Sequence, residues 1–279
     1  MREIHVDEIR DKVAQMCIDA AYVLGDDVLS ALDRAGELQT TPAAREITGI
    51  LKENARIAME EHVPIYQDTG IAVFFVEMGQ DLRIKNGFIV DAINEGVRKG
   101  YREGNLKKFV VDPLTRKNTG DNTPAIIYTE LVPGDQLKIS FTPKDGKSEN
   151  MSVIRMLSPE EGVEGVKNII LECVQKAHVH PCPPFVIGVG IGGDFEKAAM
   201  LAKRALLRPV GSPNFRLELA SLEEMLLRAA NRIGIGPEGQ GGKVTTLAIH
   251  VESFPCHMAC LPVAVNMNCH ASRQKIIVL

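Results

Sequence analysis

Apolar residues recur at helical spacing through the first 65 positions and in short strand-like runs thereafter. Residues 6–24 carry Val6, Ile9, Val13, Met16, Ala20 and Val23 close to the 3.6-residue period and predict an amphipathic helix. Asp26 or Asp27 is placed to cap a second helix through Ala35, and Thr41-Pro42 forms an N-cap and first-turn pair for a third helix to about Glu61. Ile71–Met78, β-branched and aromatic, reads as a buried strand. A helix over about Ile89–Arg102 precedes a polar loop ending in Asn118-Thr-Gly-Asp-Asn-Thr-Pro124. Ala125–Leu131 and Gln136–Thr142 read as paired strands joined by the turn Pro133-Gly-Asp135. Ser158-Pro-Glu-Glu161 caps a long helix to about Lys176. Phe185–Ile191 is a strand, and Gly192-Gly-Asp194 opens a helix through Leu207. A helix over about Leu217–Arg232, a glycine loop from Gly234 to Gly242, a strand over Thr245–Glu252 and a short buried strand at Leu261–Val265 complete the pattern. No repeat, low-complexity tract or linker intervenes. The expectation is an α/β fold, a single large domain over 1–279 with a helical N-terminal section over about 1–65 and a mixed sheet.

Composition narrows the partners. The chain has 279 residues, 45% hydrophobic and 24% charged, near the average for globular proteins. A formal net charge of −4 gives no reason to expect nucleic acid or an anionic membrane surface. No apolar run approaches the roughly 18–20 residues that span a bilayer, and the N-terminus lacks the apolar core of a signal peptide. Cytoplasmic location is the resulting expectation. Six cysteines in a chain with an ample core point to buried or metal-bound thiols rather than to disulfides. Cys17 and Cys173 fall within amphipathic helices and read as core.

The chemistry concentrates near the C-terminus. Residues 255–273 hold three of the six cysteines (Cys256, Cys260, Cys269) and two of the seven histidines (His257, His270). Thiolate and imidazole suit zinc, copper or iron–sulfur centres, and the strand at 261–265 delivers Asn266 and Cys269 to its end. Cys182, followed by two prolines that fix the backbone, sits just before another strand. No CxxC pair occurs, so a zinc ribbon is unsupported. Gly188-Val-Gly-Ile-Gly-Gly193 departs from the dinucleotide fingerprint and reads as a close-approach turn whose amides could face a carboxylate or a cluster. The run Gly239–Thr245 lacks the phosphate-loop spacing, leaving Lys243 as an anion contact or a solvated lysine. In Tyr66-Gln-Asp-Thr-Gly70, Asp68 is either a proton-transfer group or a turn cap.

Read in order, Gln67-Asp-Thr-Gly70, Asn118–Ala125, Cys182-Pro-Pro184 with Gly188–Gly193, Gly234–Pro237 with Gly241-Gly-Lys243, and Leu261–Asn266 with Cys269-His270 resemble a known family. They are similar to the α subunit, or N-terminal catalytic domain, of class I iron–sulfur fumarate hydratases and the related tartrate dehydratases. The resemblance implies a [4Fe–4S] cluster with one open iron acting as a Lewis acid. By position it implies Cys182 and Cys269 as cluster ligands and Asp68 as the catalytic carboxylate with Gln67 beside it. It further implies His257 as a substrate contact and Thr69, Lys107 and Gly146 as substrate-binding positions. The implied reaction is a hydro-lyase step on a small dicarboxylate, fumarate to L-malate being favoured and L-tartrate the alternative. A separate β subunit completes the pocket, in a dimer of αβ units.

The chain departs from the family at three places. Tyr66 stands where the family has its first ligand cysteine, Lys107 where it commonly has arginine, and Asp145-Gly-Lys147 where it has a glycine-rich run. Three readings stay open at Tyr66: the phenolate as third ligand, Cys256 or Cys260 moving in, or loss of the cluster. The last makes the chain a cluster-free binding or assembly paralogue.

Overall fold

The computed structural model describes residues 2–177 and 182–279. The segment His178–Pro181, which precedes Cys182 in the motif noted above, lies outside them. The backbone groups into two compact units, one of residues 1–24, 55–146 and 273–279, the other of residues 25–54 and 147–272.

The first unit contains β1 (Arg2–His5), α1 (Val6–Tyr22), the end of α3 (Pro42–Glu61), β2 (Ile71–Gly79), β3 (Leu82–Lys85), α4 (Ile89–Glu103), β4 (Ile126–Val132), β5 (Leu137–Lys144) and β10 (Lys275–Val278). Strands β1 and β3 pair in parallel, and a four-stranded mixed sheet runs β10-β5-β2-β4. Ile9, Val13 and Met16 of α1 and Ile93, Val97 and Tyr101 of α4 pack with Phe74 and Phe141, whose rings stack 4.9 Å apart. The expected hairpin between the strands at 125–131 and 136–142 does not form. Strand β2 lies between them, parallel to β4 and antiparallel to β5. Burial decides this: Ala72–Val76 of β2 are all buried, and a nine-residue apolar strand is best placed at the sheet's centre. The Pro133-Gly-Asp135 turn instead wraps the end of β2, with the Gly79 amide donating to Gln136 O and the Asp81 amide to Gly134 O. Any Cβ at Gly79 would fall 2.4 Å from Gly134 O.

The second unit contains α2 (Asp26–Leu38), the start of α3, α5 (Gly146–Asn150) apart from its first residue, β6 (Val153–Leu157), α6 (Gly162–Lys176), β7 (Phe185–Gly192), α7 (Phe195–Ala205), α8 (Leu217–Asn231), β8 (Thr246–Phe254) and β9 (Leu261–Asn268). Its mixed sheet runs β6-β9-β7-β8, with β7 parallel to β8 and β9 antiparallel to both its neighbours. Edge strand β8 is protected by side chains that mimic a further strand. Glu223 accepts the Val251 amide at 2.7 Å, Asn214 donates to the Val251 carbonyl at 2.7 Å, and Asn231 bonds both backbone groups of Thr246.

The α/β class and the mixed sheets agree with the sequence pattern. Thr41 accepts the Ala44 amide, Ser158 and Glu161 form a capping box, and Asp194 caps α7 through the Lys197 amide. Asp27 does not cap α2; its carboxylate accepts the Val210 amide at 2.7 Å. Strand β1 within the helical N-terminal section, together with β3, β6 and β10, falls outside the sequence pattern. Each is only four or five residues long and partly exposed, so its hydrophobic signal is weak. Among the described residues, no helix is long and apolar enough to cross a membrane.

Candidate active site

In the first unit, chemistry gathers on the loop Tyr66–Gly70 between α3 and β2. Gly70 has φ +76°, and an added Cβ would lie 2.8 Å from the Lys144 amide nitrogen, so only glycine lets the loop close onto β5. The carbonyls of Asp68, Thr69 and Gly70 are each held by side chains from other segments. Arg273 Nη2 donates to Asp68 O at 3.0 Å, Tyr101 Oη approaches Thr69 O and Gly70 O at 2.9 and 3.0 Å, and Asn122 Nδ2 donates to Gly70 O at 3.1 Å. Burial pushes the Tyr101 phenol up, so it stays protonated and serves as a donor. Asn122, fully buried, also accepts the Phe109 amide at 2.7 Å.

The backbone so fixed aims the Asp68 side chain. Its Oδ1 accepts the Gly70 amide at 2.9 Å and its Oδ2 the Gly146 amide at 3.0 Å. Thr69, buried, donates to the Lys107 carbonyl at 2.6 Å. The structure thus brings Asp68, Thr69, Lys107 and Gly146 together, with Gln67 exposed beside Asp68. The Thr69 hydroxyl and the Gly146 amide are engaged by the Lys107 carbonyl and the Asp68 carboxyl group.

In the second unit, Cys269 is buried and Cys182 half-buried. The Cys182 thiol hydrogen-bonds Glu238, whose carboxyl is pushed up by burial, against the opposing effects of that bond and of Lys147. His270 Nδ1 lies 3.8 Å from Glu238 Oε1. Glu149 pairs with the nearly buried Lys203 and accepts Asn266 Nδ2 at 3.1 Å. His257 lies on an exposed turn, where its Nδ1 accepts the Ala259 amide at 3.2 Å. The glycines at 188 and 190 have a packing reason rather than an anion-binding one. A Cβ at either would come within 2.0 and 2.1 Å of the α7 carbonyls of Ala202 and Ala198. The Gly193 amide is spent on the carbonyls of Phe254 and Pro255, and Lys243 is exposed.

The donor set falls short of the cluster that the resemblance implies. Cys182 and Cys269 are soft thiols suited to iron and sulfide. The third position is the Tyr66 phenol, whose ring lies 5.8 Å from the Arg273 guanidinium carbon. Among the described residues no group of three or more His, Cys, Asp or Glu side chains is gathered to hold a metal. Two thiols and a phenol do not fit a cluster site built for three thiolates. Cys17 and Cys173 are buried, as expected of core residues, and burial pushes both thiols up, Cys173 to about 11.

Arg273, Tyr101, Asn122 and Glu238 carry no assignment from the sequence. Their roles are hydrogen bonds to backbone and side chains far along the chain, which no local pattern announces. Only Asn122 has a signal, its place in the Asn118–Ala125 motif.

This geometry stands beside close similarity to known proteins. The profile of the family described as Fumarate hydratase (Fumerase) matches residues 10–278. A Methanocaldococcus jannaschii protein provisionally named L(+)-tartrate dehydratase subunit alpha is 39% identical over 275 residues, covering 96% of each chain. The L(+)-tartrate dehydratase subunit alpha of Escherichia coli, in strains UTI89 and K12, is 30% identical over 272 residues, covering 96% of this chain and 90% of that protein. With the profile running almost end to end and the Asp68 loop assembled from its motif residues, this chain belongs to the Fumerase family.

Proposed function

We propose that this chain is the catalytic α subunit of a hydro-lyase that dehydrates a 2-hydroxy-dicarboxylate, with L(+)-tartrate as its substrate. The expectation of fumarate and L-malate gives way here, because the relatives reported above carry the tartrate name. The observation that carries the reading is the Asp68 carboxyl group, held by one backbone amide on each oxygen. A proton-transfer group needs this kind of fixed placement.

In the proposed reaction, the C–H proton next to the carbinol passes to an Asp68 oxygen, and hydroxide departs from the neighbouring carbon. Tartrate then yields the enol of a 2-oxodiacid; malate in the same site would yield an alkene. Lys107 supplies positive charge for a substrate carboxylate, as a point charge rather than a bidentate fork. Gln67 and His257 contact substrate, while Thr69 and Gly146 orient Lys107 and Asp68. The whole span acts as one catalytic α domain, in the cytoplasm. A separate β subunit supplies the remaining pocket residues, in a dimer of αβ units.

A [4Fe–4S] cluster is general in class I members of this family; held by Cys182 and Cys269 with a third ligand, it would supply Lewis acidity. The misfit at Tyr66 favours a second reading, a cluster-free subunit with a binding or assembly role. Co-expression with a β partner and anaerobic assay of L(+)-tartrate against L-malate and fumarate tests both. Faster consumption of tartrate is expected. Faster fumarate hydration would overturn the substrate assignment, and inactivity of an intact αβ complex toward all three would overturn the enzyme reading.

A further inference from the structure

Arg273 is 2% exposed, and its Nε and Nη1 atoms have no hydrogen-bond partner among the described residues. Its remaining nitrogen, Nη2, donates to the Asp68 carbonyl, while the guanidinium lies over the Tyr66 ring. A buried guanidinium with unspent donors is costly, and among the described residues no carboxylate forms an ion pair with it. Asp68 does not repay this cost through its side chain. Arg273 meets Asp68 at its backbone carbonyl, while the carboxylate oxygens each accept one amide, from Gly70 and Gly146. The Tyr66 ring face and the Asp68 carbonyl hold the guanidinium on the loop that carries the proposed proton-transfer group.

We propose that Arg273 is a substrate-anchoring residue: its unspent N–H groups bind one carboxylate of the dicarboxylate and so set the substrate against Asp68. This rests on the hydro-lyase reading above. A planar, permanently charged donor suits a carboxylate better than the flexible ammonium of Lys107 does. The two cations thereby divide the work, Arg273 as the rigid anchor and Lys107 as the adaptable charge. This division explains how a chain with lysine at position 107 still grips a doubly charged substrate.

The test uses succinate, a dicarboxylate with no hydroxyl to lose, titrated calorimetrically into the αβ complex, with butyrate as the singly charged control. Arg273→Met should weaken succinate binding by about 10- to 100-fold, the range for losing charge-assisted hydrogen bonds. It should leave the weaker butyrate affinity less affected. Arg273→Lys, which keeps the charge and is the fallback if the methionine variant misfolds, should fall between the two. In turnover, KM for tartrate should rise more than kcat falls. Unchanged succinate affinity with a reduced kcat would make Arg273 a loop-positioning residue and overturn the proposal. Failure of the unmodified complex both to bind succinate and to turn over tartrate would overturn the hydro-lyase reading with it, so the two failures are distinguishable.

Discussion

At the residue scale, the loop Tyr66–Gly70 shows how an ordinary turn becomes a candidate site. Three successive carbonyls are pinned by Arg273, Tyr101 and Asn122, and the Asp68 carboxyl group is aimed by two amides. Asp68→Asn keeps the size of the side chain but replaces one acceptor oxygen with an NH2 that must turn from a backbone amide; under the proposed mechanism turnover should fall by about 10²–10⁴-fold, with an unchanged circular dichroism spectrum checking that the fold survives. Undiminished turnover would remove Asp68 from the chemistry. Gly70→Ala combines a positive φ with a Cβ 2.8 Å from backbone, and should cost roughly 2–4 kcal/mol of stability in a denaturant titration. His250 yields a pH prediction. Burial first, and then Arg208, lowers its pKa from 6.5 to about 4, against Glu223, Asp27 and the Ala205 carbonyl. With Nδ1–H assigned to the Ala205 carbonyl at 3.2 Å, protonation would place a second N–H at the buried, unpartnered Nε2. The unfolded chain takes up this proton near pH 6.5 and the folded chain only near 4. The stability contribution is therefore complete above pH 6.5 and is lost as pH falls toward 4, amounting to about 3 kcal/mol. Unfolding titrations at pH 7 and pH 4 should show a smaller loss for His250→Gln than for the unmodified protein; equal losses would exclude this residue as the source.

At the element scale, periodicity identifies the long helices and the buried strands, because each presents a continuous apolar face. It fails where pairing is a choice among partners. The segments β4 and β5 carry a good hairpin turn, yet both pair with β2, whose apolar residues require neighbours on two sides. The glycine run at 188–193 reads in the sequence as a place where amides could serve a ligand, and the fold uses its first two glycines to let α7 lie against β7. Gly188→Ala and Gly190→Ala should each destabilise the protein by about 1–3 kcal/mol or more by pushing α7 outward. Chemical denaturation would show it, and a change under about 0.5 kcal/mol for both, the level of an ordinary surface substitution, would refute the packing account.

At the scale of the whole molecule, the open matter is iron. The chain keeps thiols at Cys182 and Cys269 and carries a phenol under a guanidinium at position 66. Tyr66→Cys restores a third thiol, so iron and sulfide content after anaerobic reconstitution of the αβ complex should rise above that of the unmodified protein. Equal content in the two would show that another side chain already completes the site. The order of motifs along the chain makes the family legible from residues alone, and the profile spanning residues 10–278 agrees with it. The substrate is not legible there: the same ordered motifs lead to an expectation of fumarate and L-malate, whereas the matched relatives carry the tartrate name.

By itself the sequence determined the α/β class, the principal helices, the buried strands and the ordered motifs that mark the family. These follow from local periodicity and from motifs whose spacing is short. Only the tertiary structure decided which strand neighbours β2, that Gly146 and Gly70 hold the Asp68 carboxyl group, and that Arg273 reaches a loop 205 residues away. Such contacts join positions remote along the chain, where the energy lies in burial and in satisfied donors rather than in any pattern of neighbouring residues.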